Sequence, residues 1–338
     1  MKNLKVLLIV LLLAGCGGAA YYYLVYRPAH PKVLEVAYVM PATLPVIDSR
    51  AEIHSVIGHL KRGDRVEILF QSRDWDEVRL PDGSKGWIEE RDLMGSQAYE
   101  GGRKLLKEVE NIPVQAVGHT AFEVNLRLAP SREGQLLGRF HRNEKLQVFG
   151  RRVVLRAKGS AADSEGAGTA DNSNSSSDLE AWYLVRSDAR AGWLLGRLVN
   201  LDIPQDISGY AQNSNVVAWL VLNSVDDNGH QVPQYVVADR EDVKDCDFTR
   251  IRVFTWWPAE QHYSTSYVQS RLRGYFPIRA ARVGDSPGFR LRLEDAKGRR
   301  YQRVYKLVDT IVRPLGSVDG WESDALPAAR EGRRSRRR

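Results

Sequence analysis

Apolar and polar residues alternate along most of this chain with the period of two that is typical of β-strands. Val66 and Ile68 alternate with Glu67 and Leu69, and the same alternation places Phe70 on the buried side of that strand. Val78 and Leu80 share one face of the next predicted strand, which ends at a Pro-Asp-Gly turn. The pattern therefore predicts short antiparallel strands joined by tight turns.

The pattern of residues 58–88 occurs a second time between residues 138 and 194. In both copies a polar turn and a strand precede a strand that begins with Trp, and a Gly-Trp dipeptide follows that strand. The two tryptophans are 12 residues apart in the first copy and 11 apart in the second, and they are Trp75, Trp87, Trp182 and Trp193. Several short strands in so few residues favour a small, strongly bent β-barrel for each copy.

These motifs resemble the bacterial SH3-like (SH3b) domain family. The resemblance rests on Gly-x-Leu-x-x-Gly-Asp-x-Val-x-Ile from Gly58, Trp-x-x-Val-x-Leu from Trp75, and Asp-Gly-x-x-Gly-Trp-Ile from Asp82. The second copy keeps the Asn-Leu-Arg-Leu-Ala-Pro-Ser segment from Asn125, which resembles the opening signature of the family. The resemblance implies non-catalytic binding or targeting modules of cell-envelope proteins, which bind peptidoglycan or neighbouring protein segments.

We therefore expect an all-β chain with two tandem small SH3-like β-barrels, a short linking helix and a C-terminal antiparallel β domain. The last domain is a meander that forms either a barrel or a sandwich. The predicted segments are 1–26 (lipoprotein signal peptide or membrane anchor), 27–35 (linker), 36–95 (first barrel), 96–113 (helical connector), 114–202 (second barrel), 203–316 (C-terminal β domain) and 317–338 (disordered basic tail). An insertion at 157–178 lacks aromatic and large aliphatic residues, so we expect it to be disordered.

The N-terminus allows two interpretations. Lys2 and Lys5 precede a short apolar run, and the Leu-Ala-Gly-Cys ending at Cys16 resembles the bacterial lipobox, which implies lipidation of Cys16. Gly17 after the cysteine implies an outer-membrane lipoprotein by the same resemblance. Alternatively, the 21 uncharged residues 6–26 are long enough to cross a bilayer as an inner-membrane anchor. Both interpretations place the rest of the chain in the periplasm-facing cell envelope.

The formal charge of +7 is concentrated at the two ends of the chain. Lys2 and Lys5 contribute two charges, and the tail from Arg330 to Arg338 contributes a further five. The chain between these ends is neutral overall, so the charge does not indicate a nucleic-acid partner.

Cys246 is the strongest candidate for catalytic chemistry. The Asp-Cys-Asp-Phe sequence around it resembles the nucleophile motif of NlpC-like cell-wall cysteine peptidases, but it lacks the Ser-Gly that follows the nucleophile there. The only later histidine is His262, and flanking carboxylates would raise the pKa of a thiol instead of lowering it. The histidines show no metal-ligand spacing. We therefore expect no catalytic residue, no metal, no cofactor and no enzymatic activity.

The aromatic residues have a structural and a functional interpretation. The four repeated tryptophans suit a barrel core, and exposed ones could line a groove for sugars or extended peptides. In the C-terminal domain one residue of the Trp256–Trp257 pair must point away from the core, and with Tyr263 and Tyr267 it could form a binding platform. These eight aromatic residues are the candidate binding residues.

The sequence as a whole predicts a non-catalytic, membrane-anchored envelope protein whose SH3-like modules bind peptidoglycan or a protein partner. Two alternatives are a targeting or regulatory subunit for a cell-wall hydrolase and a cysteine peptidase that uses Cys246.

The lipobox predicts that the mature chain begins at Cys16 and carries acyl chains. Intact-mass measurement after expression in a Gram-negative host should show this modified mass, and Cys16→Ala should abolish it. An unprocessed mass that the substitution leaves unchanged would instead identify residues 6–26 as a transmembrane anchor.

Overall fold

The structure, a computed structural model, describes residues 32–156, 179–211, 215–240 and 245–321. These residues form 22 β-strands in four sheets whose strand pairs are all antiparallel, so the predicted all-β class is confirmed. The predicted leader and insertion, and residues 322–338 of the tail, lie outside the described residues. The described chain divides into two compact units between Tyr99 and Glu100.

The first unit is a small barrel built from one seven-stranded sheet in the order β3-β2-β6-β5-β4-β1-β7. Its strands are β1 (Glu35–Val39), β2 (Thr43–Ile47), β3 (Val56–Lys61), β4 (Arg65–Ser72), β5 (Trp75–Arg79), β6 (Lys85–Glu89) and β7 (Leu93–Gly95). Val66, Ile68, Val78 and Ile88 lie on the inward face of β4, β5 and β6, and all four are at most 3 % exposed. The period-two pattern therefore produces the core of this barrel.

A β-bulge overturns one prediction about this core. The pairing of β4 with β5 shifts register between Ile68 and Phe70, so the alternation of faces is interrupted there. Leu69 is therefore buried and Phe70 is 51 % exposed on the outer face, although the sequence pattern predicts a buried Phe70.

The second unit begins with a barrel of the same strand order, β10-β9-β13-β12-β11-β8-β14. Its strands are β8 (Ala116–Thr120), β9 (Val124–Arg127), β10 (Leu136–Phe140), β11 (Lys145–Leu155), β12 (Leu179–Ser187), β13 (Arg190–Leu195) and β14 (Val199–Leu201). Each strand of one barrel has a counterpart seven strands along, so the sequence repeat corresponds to a repeated topology. The predicted domain boundaries themselves stay a prediction.

The repeated Gly-Trp dipeptide lies where the β2–β3 hairpin, or its counterpart β9–β10, joins the rest of its sheet through a single register pair. We call this junction the barrel closure. Trp87 pairs across the closure with Ile47, and Trp193 pairs with Arg127. A Cβ atom on Gly86 would overlap Val46 Cγ1 and would lie 2.8 Å from Ile57 Cδ1, while one on Gly192 would lie 2.7 Å from Leu126 Cγ. Only glycine allows the two strands to approach this closely at the closure.

Two α-helices complete the described elements, α1 (Ser96–Glu110) and α2 (Gln205–Ala211), with single 3-10 turns at Glu90–Asp92 and Gly196–Leu198. The linking helix α1 is amphipathic as predicted, because Val109 is fully buried while Lys104, Lys107 and Glu108 are exposed. None of the helices in the described part of the chain combines the length and the apolar character needed to span a bilayer.

The C-terminal domain is a sandwich of two four-stranded meanders. The first sheet, sheet C, contains β15 (Asn215–Asp227), β16 (His230–Arg240), β17 (Arg250–Trp257) and β18 (His262–Gln269). The second, sheet D, contains β19 (Gly274–Val283), β20 (Ser286–Glu294), β21 (Arg300–Val308) and β22 (Ile311–Asp319). Val236 and Val253 of sheet C belong to one buried cluster with Phe289 and Leu291 of sheet D, so the two sheets pack face to face.

Buried polar side chains join the second barrel to the sandwich. The Gln115 amide donates to Ile278 O at 3.1 Å and accepts from Ile278 N at 2.7 Å, as a neighbouring strand would. Arg151 donates to Cys246 O at 3.2 Å and lies 3.9 Å from Asp247. Burial raises the pKa of Asp247 to about 6, against the lowering effects of the Phe276 amide and of Arg151. These partners satisfy most of the buried polar groups at this joint, although Arg151 Nη2 has no hydrogen-bond partner among the described residues.

We predict that Gly86→Ala destabilises the first barrel by about 1–3 kcal/mol, because the new methyl group overpacks the closure against Val46 and Ile57. Urea unfolding followed by circular dichroism measures the change. Gly58→Ala is the matched control, since its Cβ would lie 3.9 Å from the nearest atom, Leu80 Cδ2. Equal destabilisation by both substitutions would contradict the closure argument.

Candidate ligand-binding groove

A groove of about 640 Å³ opens on the outer face of the first barrel. Strands β5 and β6 contribute Trp75 and Trp87, and the loop between β2 and β3 contributes Ser49, Arg50 and Ala51. Both tryptophans are half-buried, while Arg50 and Ala51 are exposed. The groove therefore combines two accessible aromatic rings with one arginine side chain from this loop.

Strand register places an aromatic row along the outer face beside this groove. Phe70 pairs with Glu77, and Glu77 pairs with Trp87 on the next strand. The rings of Phe70 and Trp87 meet edge to face, with their centroids 6.2 Å apart. The bulge in β4 therefore adds a third aromatic ring to the groove edge, which the alternation in the sequence did not predict.

Arg50 is held in place over the aromatic floor of the groove. Its guanidinium carbon lies 4.2 Å from the centroid of the Trp87 ring, within the range of a cation–π interaction. Nη1 of Arg50 also donates a hydrogen bond of 2.7 Å to Ser72 Oγ. Ser72 is the cross-strand partner of Trp75, so Arg50 lies between the two tryptophans. Sequence reasoning missed Arg50, since an arginine in a loop carries no signal by itself.

Acidic side chains accompany the aromatic row. Glu67 pairs with Arg79 at 3.1 Å, and Glu89 pairs with Arg91. Glu77 forms no ion pair with any described residue and lies in register between Phe70 and Trp87. The face therefore offers a carboxylate at Glu77 and a guanidinium at Arg50, each next to Trp87, which suits a ligand carrying both an ammonium and a carboxylate.

Asp76 lies on the opposite, core side of β5, directly behind the groove. It is 2 % exposed, and it pairs in register with Ile88. Burial raises the pKa of Asp76 to about 6, and the nearby Glu90 and Glu35 raise it further in the same direction. A buried carboxyl group behind the tryptophans makes the stability of this barrel depend on pH.

The second barrel does not repeat the groove. Trp182 and Trp193 occupy the positions equivalent to Trp75 and Trp87, yet they are only 1 % and 7 % exposed. The indole N–H of Trp182 has no hydrogen-bond partner among the described residues, and Arg152 lies 5.5 Å from the Trp193 ring. The aromatic positions of the repeat are therefore core in one barrel and surface in the other.

The structure does not bring the four aromatic residues of the C-terminal domain into one platform. Tyr263 is buried, its ring centroid lies 5.1 Å from that of Trp256, and its hydroxyl donates to Pro233 O at 2.7 Å. Trp257 is 47 % exposed, as expected for one member of the pair. A register shift between Val253 and Phe254 inserts an extra residue into β18. Because of this shift, Tyr267 packs at the core between the sheets, on the face opposite Tyr263.

Cys246 is fully buried just before β17, and burial raises the pKa of its thiol. His262 lies in β18, where its Nδ1 is 3.4 Å from Glu260 Oε2. This environment does not activate the thiol as a nucleophile. Within the ranges that the structure describes, no group of three His, Cys, Asp or Glu side chains could hold a metal ion.

Comparison with known proteins finds matches among solved structures alone. No protein-family model and no curated protein matches the chain. NlpC2 and NlpC1 from Trichomonas vaginalis are each 12 % identical with a TM-score of 0.18, and the matches cover 84 % and 83 % of this chain and 97 % and 89 % of theirs. An NlpC/P60 family protein from Bacillus cereus is 11 % identical with a TM-score of 0.19, covering 83 % of this chain and 95 % of its own.

These matches correct one prediction from the sequence. The expectation that the chain is not an enzyme is contradicted, because the matched structures are NlpC/P60 family proteins, which are typically cysteine peptidases. We therefore withdraw that exclusion. Identities of 11–12 % and TM-scores below 0.2 assign no activity, substrate or catalytic residue to this chain.

We predict that Asp76→Asn stabilises the first barrel at pH 7.5 by about 1–3 kcal/mol. The pKa of Asp76 is raised in the folded state, so the folded barrel favours the protonated carboxyl group. Its stabilising effect is complete below the ordinary pKa of 3.8 and is lost as the pH rises through about 6, where the buried group must ionise. Urea unfolding at pH 4.0 and 7.5 should show a gain in the free energy of unfolding at pH 7.5 only. Gly86→Ala identifies the unfolding transition of the first barrel, and the gain should appear in that transition. The exposed neighbour Asp74, changed to Asn, is the control, and an equal gain at both pH values would contradict the assignment to Asp76.

Proposed function

We propose that both barrels are SH3-like modules and that the first one binds peptidoglycan through the groove at Trp75, Trp87 and Arg50. The observation that carries this proposal is the pair of half-buried tryptophans beneath a guanidinium fixed 4.2 Å from a ring. Aromatic rings of this kind stack on sugar rings and on extended peptides. The resemblance of the repeat motifs to the SH3-like family supports the same assignment.

The charges beside the groove favour the peptide part of the wall polymer. Arg50 can pair with a carboxylate and Glu77 with an ammonium group, and short wall peptides carry both groups. Both charged groups lie next to Trp87, with the Phe70 ring beside it, and the body of an extended peptide would pack on this apolar surface. The proposal also places the body of the protein on the periplasmic side of a membrane, held there by the N-terminal lipid or helix.

The second barrel has a different role in this proposal. Its equivalent tryptophans are buried, and Gln115 and Arg151 attach it to the sandwich. It therefore serves as the support from which the rest of its unit is built, and the ligand-binding role is confined to the first barrel.

Sedimentation with purified peptidoglycan tests this function. We expect Arg50→Ala and Trp87→Ala each to lower the affinity by about tenfold or more, because truncating an aromatic or arginine anchor in a binding site commonly costs above 1 kcal/mol. Arg50 lies in an exposed loop, so its variant tests the groove even if Trp87→Ala weakens the barrel closure. Trp257→Ala is the matched control, since it removes an exposed indole elsewhere and should leave binding unchanged.

Two outcomes would refute the proposal. Wall binding that survives both groove variants would place the wall site elsewhere on the chain. A wild-type chain that ignores purified wall but retains an envelope protein, in a manner sensitive to Arg50→Ala, would assign the groove to a protein partner.

A further inference from the structure

Sheet D of the sandwich carries a concentration of positive charge that the groove function does not use. Residues 271–321 contain twelve Lys and Arg against five Asp and Glu, although the chain between its basic ends is neutral. Three of the five acids are paired at one end of the sheet. Glu294 lies 3.0 Å from Arg273, and Arg299 lies 3.2 Å from Asp295 and 3.8 Å from Asp319. The rest of the sheet therefore carries an excess of positive charge.

Besides Arg300, which lies 3.7 Å from Glu294, five of these cations lie on the outer face of sheet D. Phe289, Leu291 and Leu293 point into the core, so the residues between them face the other way. Cross-strand pairing carries the same face onto the neighbouring strands. The outer-face cations are Arg279, Arg290, Arg292, Lys306 and Arg313, which we call the basic face.

Like charges lie directly opposite each other on the basic face. Arg279 is the register partner of Arg290, and Lys306 is the partner of Arg313. Directly opposed like charges destabilise a sheet. Arg279, Lys306 and Arg313 form no ion pair with any carboxylate of the described residues. An anion bound to this face would therefore reduce the repulsion between the opposed cations.

The chain also leaves the described structure at this face. After β22, the Trp321 ring packs on Tyr275 with centroids 4.8 Å apart, and its indole N–H donates to Leu293 O at 3.0 Å. Tyr275 is the register partner of Arg292, so both belong to the outer face. The 17 residues that follow Trp321 in the sequence contain six arginines and three acidic residues.

We propose that the basic face binds the anionic headgroups of a phospholipid surface. Its cations lie on all four strands, which span a width of about 14 Å at ordinary strand spacing. They therefore cover an area and do not follow a single line. A two-dimensional spread fits a plane of phosphates better than a single linear polyanion. Electrostatic attraction of this kind adds up over the cations near the surface and is weakened by salt. This surface is separate from the groove of the first barrel, so either proposal can fail alone.

Vesicle sedimentation of the full chain tests the basic face. The probes are vesicles of phosphatidylcholine alone and vesicles that also contain phosphatidylglycerol, which isolates the anionic contribution from any insertion of the N-terminal segment. Lys306→Gln with Arg313→Gln should lower the affinity for the anionic vesicles by about tenfold or more and leave the neutral ones unaffected. The melting temperature should stay equal or rise, because a like-charge pair is removed.

The matched control is Arg142→Gln with Lys145→Gln, which removes the same charge from two exposed positions of the second barrel. An equal loss of affinity in the control would show that net charge alone causes the effect, and it would overturn the proposal. Loss of binding only when the six tail arginines are replaced by Gln would assign it to the tail. Tighter binding to soluble polyglutamate than to anionic vesicles, sensitive to Lys306→Gln with Arg313→Gln, would replace the lipid by a linear polymer.

Discussion

The closure of each barrel by a glycine followed by a tryptophan is the constraint on which this protein depends. A seven-stranded sheet of such short strands can bury a core only if it bends back on itself, and the two strands that meet must come closer than a side chain allows. Gly86 and Gly192 provide that approach, and the tryptophan after each lies in the closing pair. The dipeptide is therefore architectural first, and any ligand binding by its tryptophan is added to that role.

The two barrels share one strand order but present different surfaces. In the first barrel, the loop that carries Arg50 and the bulge that exposes Phe70 leave Trp75 and Trp87 accessible. In the second barrel the same positions are buried, and Gln115 and Arg151 form hydrogen bonds to the sandwich. A closed barrel tolerates this divergence because its core positions alternate with surface positions along every strand.

Polar side chains at the sandwich fall into two groups, one at buried joints and one on an outer face. Uncharged and paired polar groups such as Gln115 and the Arg151–Asp247 pair lie at buried joints, where an unpaired group would be costly. Cations lie opposite each other on the outer face of sheet D, where water moderates the repulsion between them. Net charge alone conceals this arrangement, because the acids elsewhere in the chain compensate for it.

The sequence by itself determined the strand class, the repeat, the linking helix and the identity of the core residues Val66, Ile68 and Val78, since all of these follow from local periodicity and turn chemistry. Only the tertiary structure decided which tryptophans are accessible and that Tyr263 and Tyr267 face opposite ways. It also brought Arg50 onto Trp87 and made Phe70 a surface residue. The physical reason is that one β-bulge reverses every later face of a strand, and contacts between a loop and a distant strand leave no periodic signal.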